Sequence, residues 1–565
     1  MSTTASPAHP DIALRLGAEA ILSRQAARES AARTYARSLP IVPVRARGMT
    51  VEGADGRRYL DCLAGAGTLA LGHNHPVVLE AIRAVLDAEA PLHVLDLATP
   101  VKDAFTTALF ETLPPSMARD ARIQFCGPAG TDAVEAALKL VRLATGRDGL
   151  LAFTGGYHGQ TAGALAATGD TAVRAGLGLG GAGGVGGQVT RLPYPYAYRC
   201  PFGVGGVAGA QLGTRWTRSL LEDPKGGVDR PAGMLVEVVQ GEGGVVPAPD
   251  AWLREQRELT ARHGIPLIVD EVQTGVGRTG AFWAVQHSGV EPDVMVVSKA
   301  VGGSLPLAAI VYRAELDVWA PGAHAGTFRG NQLAMAAGAA TLRFVREQGL
   351  DARAAELGTR MLARLRGLQR ELPVIGDVRG RGLMLGVELV DREAAPDELG
   401  AFPAAPELAQ AVRGEALRRG LIVELGGRYG SVVRLLPPLT MTDEQAEAVL
   451  ERLAESIAAA ARALGFASSQ AGSAHNPRSQ APSRQGPLSQ APLSQPALAQ
   501  APPPEAGFAH APLAQASSSH APSSHATAPA TASARASAPA RATTPAVAAA
   551  ARATWVPAAR AGGAA

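Results

Sequence analysis

The chain has 565 residues, 47% of them hydrophobic and 18% charged, with a formal net charge of +3. That length allows more than one domain and a large core. The near-neutral balance excludes a nucleic-acid or acidic-surface partner as the basis of its function. Three widely spaced cysteines, Cys62, Cys126 and Cys200, with no CxxC, argue against a disulfide framework or a zinc site and for a reducing, cytoplasmic setting.

In chain order, residues 1–10 read as frayed, and residues 11–36 have the Ala/Arg-rich spacing of a surface helix. No basic region precedes an apolar one there, so no secretory signal is expected. No run approaches the roughly 18 apolar residues of a membrane span. Residues 49–62 read as a hairpin that turns at Asp55-Gly56. His73 and His75 follow in a glycine-rich loop. Without an acid or cysteine at ligand spacing they predict no metal site. A short strand, 123–126, leads through Gly127-Pro128-Ala129-Gly130-Thr131 into a helix with apolar Val134, Ala137, Leu138 and Val141. Glycines before a helix start can admit a phosphate, although ordinary strand-to-helix turns look the same. Strand 150–153 runs into Gly155-Gly156-Tyr157-His158-Gly159. An aromatic between glycines at a strand end is better placed to stack on a ring than to fill a core.

The run 176–187 contains a GxGxxG match, but no strand–turn–helix surrounds it, so a dinucleotide site is not predicted. Strand 234–239 leads into Gln240-Gly241-Glu242. Two further apolar runs, 265–270 and 293–297, read as strands buried on both faces of a mostly parallel sheet. They end in Asp270 and in Ser298-Lys299. Ligands sit beyond the carboxyl ends of such strands. An acid and an amine there suit pyridoxal phosphate, with Lys299 bonded to its aldehyde and Asp270 on its ring nitrogen. The same two residues also suit a buried ion pair. From 336 to 466, long Ala/Leu/Arg helices surround short strands. Beyond 466 the composition falls to Ala, Pro, Ser, Gln and His with imperfect repeats, which predicts a disordered tail. That tail carries six arginines and one acid, so the basic excess is local to it.

The run Asp270-Glu271-Val272-Gln273-Thr274-Gly275 with Gly277-Arg278-Thr279-Gly280, followed by Ser298-Lys299-Ala300 and Gly302-Gly303, resembles the class III aminotransferases, and further motifs spread the likeness over roughly residues 36–458. The resemblance implies an α/β enzyme of PLP fold type I. Its parts would be an N-terminal segment (1–75), a large cofactor domain (76–335), a smaller C-terminal domain (336–466) and the tail (467–565). It implies pyridoxal 5'-phosphate as cofactor and a homodimer with shared sites. Lys299 would be the Schiff-base lysine and proton carrier. Asp270 would pair with the ring nitrogen, and Gln273 would reach the ring hydroxyl. Gly130 and Thr131 would hold the phosphate, with Thr327 reaching that of the neighbouring subunit. Tyr157 would stack on the ring, and His158 beside it would also belong to the cofactor-binding set. Arg434 would bind an α-carboxylate, and Glu242 would mask it when a terminal amine is the substrate.

Within the family, residues 63–76, 194–203 and 324–338 are most similar to diaminobutyrate–2-oxoglutarate aminotransferases. That implies exchange of the 4-amino group of diaminobutyrate with 2-oxoglutarate. Gln160 stands where ornithine and GABA enzymes carry an arginine, and Ala66 where ornithine enzymes carry a substrate tyrosine, so the reader of the second carboxylate stays open. Another ω-aminotransferase or an aminomutase would share the cofactor residues. From a different class, an interaction protein acting through the tail lacks any aromatic or charge pattern in that tail.

Overall fold

The computed structural model describes residues 17–175 and 188–466. The frayed start, the glycine-rich run 176–187 and the tail, each with an expectation above, lie outside them. Strands follow in chain order: β1 (Pro43–Arg47), β2 (Thr50–Gly53), β3 (Arg58–Asp61), β4 (Ala121–Phe125), β5 (Leu150–Phe153), β6 (Val189–Leu192), β7 (Gly233–Glu237), β8 (Val239–Gln240), β9 (Val246–Pro247), β10 (Leu267–Asp270), β11 (Val294–Val297), β12 (Ala309–Arg313), β13 (Ile375–Arg381), β14 (Met384–Leu389), β15 (Leu421–Ile422), β16 (Glu424–Gly426) and β17 (Val432–Leu435).

Seven of these form a sheet in the order β4-β12-β11-β10-β7-β5-β6. Its pairs are parallel except where β12 meets β11 and β4. The central strands β5, β7, β10 and β11 are apolar apart from the acids that close β7 and β10, because each face carries its own core. Leu151, Met234, Leu267, Val269 and Met295 enter one core. Leu150, Leu235, Ile268, Val294 and Val296 enter the other, against the helix Gly130–Thr145. Successive side chains on a strand point to opposite faces, so a continuous apolar run is the expected signature of such a strand. This is the arrangement the runs ending in Asp270 and Lys299 imply.

The hairpin turns where expected. Gly56 has φ +77°, in the left-handed region that Asp-Gly turns supply, and Asp55 Oδ1 accepts the Arg57 N–H at 3.1 Å. Its strands join β15 in a sheet ordered β1-β2-β3-β15, with Leu60 opposite Leu421. The N-terminal segment is thus stitched to a strand from beyond residue 420. The C-terminal part carries an antiparallel sheet, β13-β14-β17-β16, in which Glu424 lies directly opposite Arg434. Among the described residues of the helix expected over 11–36, Ala18–Arg28 is helical and a separate turn of helix follows at Tyr35–Ser38, so the expected helix is broken after Arg28; residues 11–16 lie outside the described residues. Among the described residues no helix is long and apolar enough to cross a membrane.

Candidate active site

The carboxyl ends of β5, β7, β10 and β11 meet at a cavity of about 250 Å³ lined by Lys299, Asp270, Tyr157, His158, Gln273, Glu242, Gly130 and Thr131. These residues come from widely separated stretches, and the sheet order alone brings them together. Arg434 meets the cavity through Glu242. Thr327 does not line it and is exposed in the turn Thr327–Gly330.

Lys299 follows β11 with φ +52°. A lysine pays for that backbone region, and strain of this kind collects at functional sites. Burial holds its amine below the ordinary lysine range, although Glu242 and then Asp270 pull the other way. A less basic amine is easier to deprotonate, as a nucleophile and proton carrier requires.

Asp270 closes β10. Its Oδ1 accepts the Val272 N–H at 3.0 Å, and its Oδ2 lies 2.8 Å from His158 Nδ1. Burial alone would lower the His158 pKa, but the hydrogen bond and charge of Asp270, with Glu237 adding to them, carry it above the ordinary value. The imidazole therefore holds and orients the Asp270 carboxylate. For His158→Ala, losing a hydrogen bond to a charged group costs about 1.5–3 kcal/mol, so cofactor affinity is expected to fall roughly 10- to 100-fold. Equilibrium dialysis followed by absorbance would measure it, and parental retention would show that Val272 N–H alone positions Asp270.

Thr131 lies in the first turn of the helix Gly130–Thr145, where backbone N–H groups lack helical partners. Its hydroxyl shares a 2.6 Å hydrogen bond with Thr161 and accepts the Thr161 N–H at 3.1 Å. A side chain at Gly130 would press on both Val272 methyls, 3.0 and 3.2 Å away, so that floor of the cavity is packed closely around the glycine. Gly159, at φ +126°, could carry no Cβ without striking Thr131.

Sequence reasoning passed over Glu237. It closes β7 beside Asp270 in register, and the signal available was an acid standing inside the apolar run 234–239. Glu237 accepts the Tyr157 N–H at 2.8 Å and the Gly241 N–H at 2.9 Å. One carboxylate thus ties the loop of Tyr157 to the loop of Glu242. Burial pushes it up to about 7, against the pull of His158. Gln273 donates to Ala66 O at 3.3 Å and to Glu242 Oε1 at 3.4 Å, while its own Oε1 is buried without a partner among the described residues.

Arg434, on β17, is fully buried and donates to Glu242 through Nη1 at 2.9 Å and Nη2 at 2.7 Å. Glu242 keeps about a third of its side chain accessible (33%) against 0% for Arg434, so Glu242 is the partner free to move. Burial would raise its pKa, but Arg434 first and Lys299 next hold it below the ordinary glutamate range. A second acid was not foreseen. Glu424 Oε2 lies 3.0 Å from Arg434 Nη2, and Tyr35 donates to Glu424 Oε1 at 2.6 Å.

The residues fit pyridoxal phosphate on these observations. A buried acid held by His158 faces the cavity, a strained lysine opposes it, a glycine floor lies at a helix start, and an orphaned buried amide oxygen awaits a partner. Comparison with known proteins agrees. The family model described as Aminotransferase class-III matches residues 31–457. A Rhizobium meliloti (strain 1021) protein named diaminobutyrate–2-oxoglutarate aminotransferase is 54% identical over 446 residues, 79% of this chain and 93% of that protein. A Haemophilus influenzae protein of the same name is 48% identical over 437 residues, 77% and 94% of the two chains. Among solved structures, an amine transaminase from an uncultivated Pseudomonas species in its PLP-bound form matches with TM-score 0.67 at 29% identity, covering 77% of this chain and 98% of that one. An ornithine aminotransferase from Toxoplasma gondii ME49 matches with TM-score 0.65 at 26% identity, covering 79% and 96%. The chain belongs to the class III aminotransferases, the PLP-dependent family of fold type I.

Proposed function

We propose that this aminotransferase moves the 4-amino group of L-2,4-diaminobutyrate to 2-oxoglutarate, reversibly giving aspartate 4-semialdehyde and glutamate. The observation that carries the reading is the bidentate Glu242–Arg434 pair beside Lys299. It offers one pocket two faces, a masked one for a terminal amine and an unmasked one for an α-carboxylate. The names of the 54% and 48% identical relatives support the same donor and acceptor.

When bound, the cofactor ring supplies the electron sink for cleavage at the amine-bearing carbon. The chain supplies the rest. Asp270, backed by His158, neutralises a protonated ring nitrogen. Tyr157 covers the ring face. Gly130 and Thr131 receive the phosphate at the helix start. The Lys299 amine would take the proton from the amine-bearing substrate carbon and deliver it to the cofactor carbon that began as the aldehyde. In this reading residues 76–335 form the cofactor domain, and the smaller domain, 336–466, carries Arg434 to it.

The reading includes a homodimer, with Thr327 of each subunit directed to the partner's phosphate site. Its support is an apolar surface beside that threonine. Leu92, Leu95, Leu97 and Phe328 are 45–66% exposed, and the two segments are bonded through Val94 N–H to Gly330 O and Gln332 N–H to Leu92 O. Light scattering at micromolar concentration tests this, and a monomeric mass counts against it. The three free cysteines fit a reducing cytoplasm.

The substrate assignment is tested by single-turnover conversion of the bound cofactor with diaminobutyrate, ornithine, GABA and lysine. Diaminobutyrate is expected to be fastest at equal concentration. Preference for ornithine or GABA would overturn the donor while leaving the aminotransferase intact. Turnover without 2-oxoglutarate would instead mark an aminomutase.

A further inference from the structure

Arg434 is paired with two carboxylates where masking needs one. Glu242 comes from the loop after β8. Glu424 comes from β16, directly across the sheet from Arg434. The two are not equivalent. Glu242 is hydrogen-bonded end-on to both guanidinium nitrogens. Glu424 Oε2 sits 3.0 Å from Nη2 but outside hydrogen-bonding geometry, so it acts on the arginine by charge rather than by a directed bond. Its other oxygen is anchored by Tyr35, and its side chain is only 10% exposed. When an α-carboxylate displaces Glu242, Glu424 stays.

We propose that Glu424, fixed opposite Arg434 and anchored by Tyr35, is a specificity-determining residue of the acceptor step: its charge weakens the hold of Arg434 on an incoming α-carboxylate, so that glutamate and 2-oxoglutarate remain releasable. This rests on Arg434 as the carboxylate-binding group. Two anions within reach of one cation repel each other, and a substrate carboxylate bound at Arg434 is the second anion.

The groups facing Glu424 set its protonation. Burial pushes its pKa up, Arg434 pulls it down, Glu242 pushes it up again, and Tyr35 and Lys299 pull it down. The net direction is above the ordinary glutamate value. Arg413, on the helix Pro406–Arg418, also faces it. Below that raised pKa Glu424 is neutral and does not oppose the substrate. As pH climbs through it, the charge appears and the dicarboxylate binds less tightly.

The test uses holoenzyme and glutarate, a dicarboxylate that cannot react. For Glu424→Gln, glutarate Kd and the KM for 2-oxoglutarate are expected to fall about 3- to 10-fold as the like charge goes. kcat and the diaminobutyrate half-reaction should move less. The rise of wild-type KM with pH should flatten in the variant. Tyr35→Phe, which withdraws a bond favouring the charged acid, should shift glutarate Kd the same way by less, and it keeps the test alive should Glu424→Gln misfold. Unchanged or weaker glutarate binding in both variants, or equal damage to both half-reactions, overturns the proposal. Glutarate binding needs no donor, so failure of the diaminobutyrate assignment in the donor panel is read separately. Glutarate binding that survives Arg434→Lys unchanged would remove the premise and the proposal with it.

Discussion

Lys299→Ala is expected to abolish turnover. In the proposed reading the buried amine bonds the cofactor aldehyde and carries the proton between substrate carbon and cofactor, so its loss removes two functions at once. Burial already depresses its basicity, and among the described residues nothing else lining the cavity offers an amine. Rates should fall by several orders of magnitude while the variant still binds cofactor through Asp270, Tyr157 and the helix start. A spectrum showing bound but unbonded cofactor, together with a parental melting curve, would establish that the site is intact and only the chemistry is gone. Added small primary amines should restore a trace of activity. Parental activity without them would refute the catalytic assignment.

Much of this site was legible because strands buried on both faces have little use for a charge. In Leu267-Ile268-Val269-Asp270 the acid stands out against three residues that fill two cores, and Lys299 stands out after Val294–Val297 for the same reason. Their burial on both faces of a mostly parallel sheet followed from their apolar length. Contacts made across hundreds of residues were not legible. Tyr35 reaches Glu424 over 389 positions, and nothing in a tyrosine beside a short helix announces that. Glu424 faces Arg434 only because β16 and β17 pair in one register, and a shift of one residue would turn it to the other face. Glu237 is different. It interrupts the apolar run 234–239, and a charge inside a buried strand was there to read. The antiparallel setting of β12 left no mark in the sequence, because a buried strand looks alike in either direction.

Opposite effects on the two half-reactions are expected from Arg434→Ala and Glu242→Ala. In Arg434→Ala the α-carboxylate of glutamate loses a charge-assisted bidentate partner, a loss of about 2–5 kcal/mol, hence ~30-fold or more in kcat/KM for glutamate and 2-oxoglutarate. Diaminobutyrate, which meets the masked face, should be hurt much less. The substitution also leaves Glu242 and Glu424 without their shared cation, and burying such acids unpaired costs stability. Arg434→Lys therefore accompanies it, keeping the charge but not the two-pronged geometry. Glu242→Ala unmasks the arginine. The glutamate half-reaction should survive or improve. Diaminobutyrate should suffer, and Glu424 explains how. The guanidinium is not left bare, since Glu424 remains 3.0 Å away, so the damage comes from orientation. With the mask gone, diaminobutyrate can dock by its own α-carboxylate and present its 2-amine to Lys299 in place of the 4-amine. Single-turnover kinetics of both half-reactions in the three variants decide the matter. Equal loss in both half-reactions for each variant would reduce Glu242 to a structural acid and end the switch. Crossed losses would show that one arginine, masked or unmasked, lets the same cavity accept an amine at the far end of one substrate and beside the carboxylate of the other.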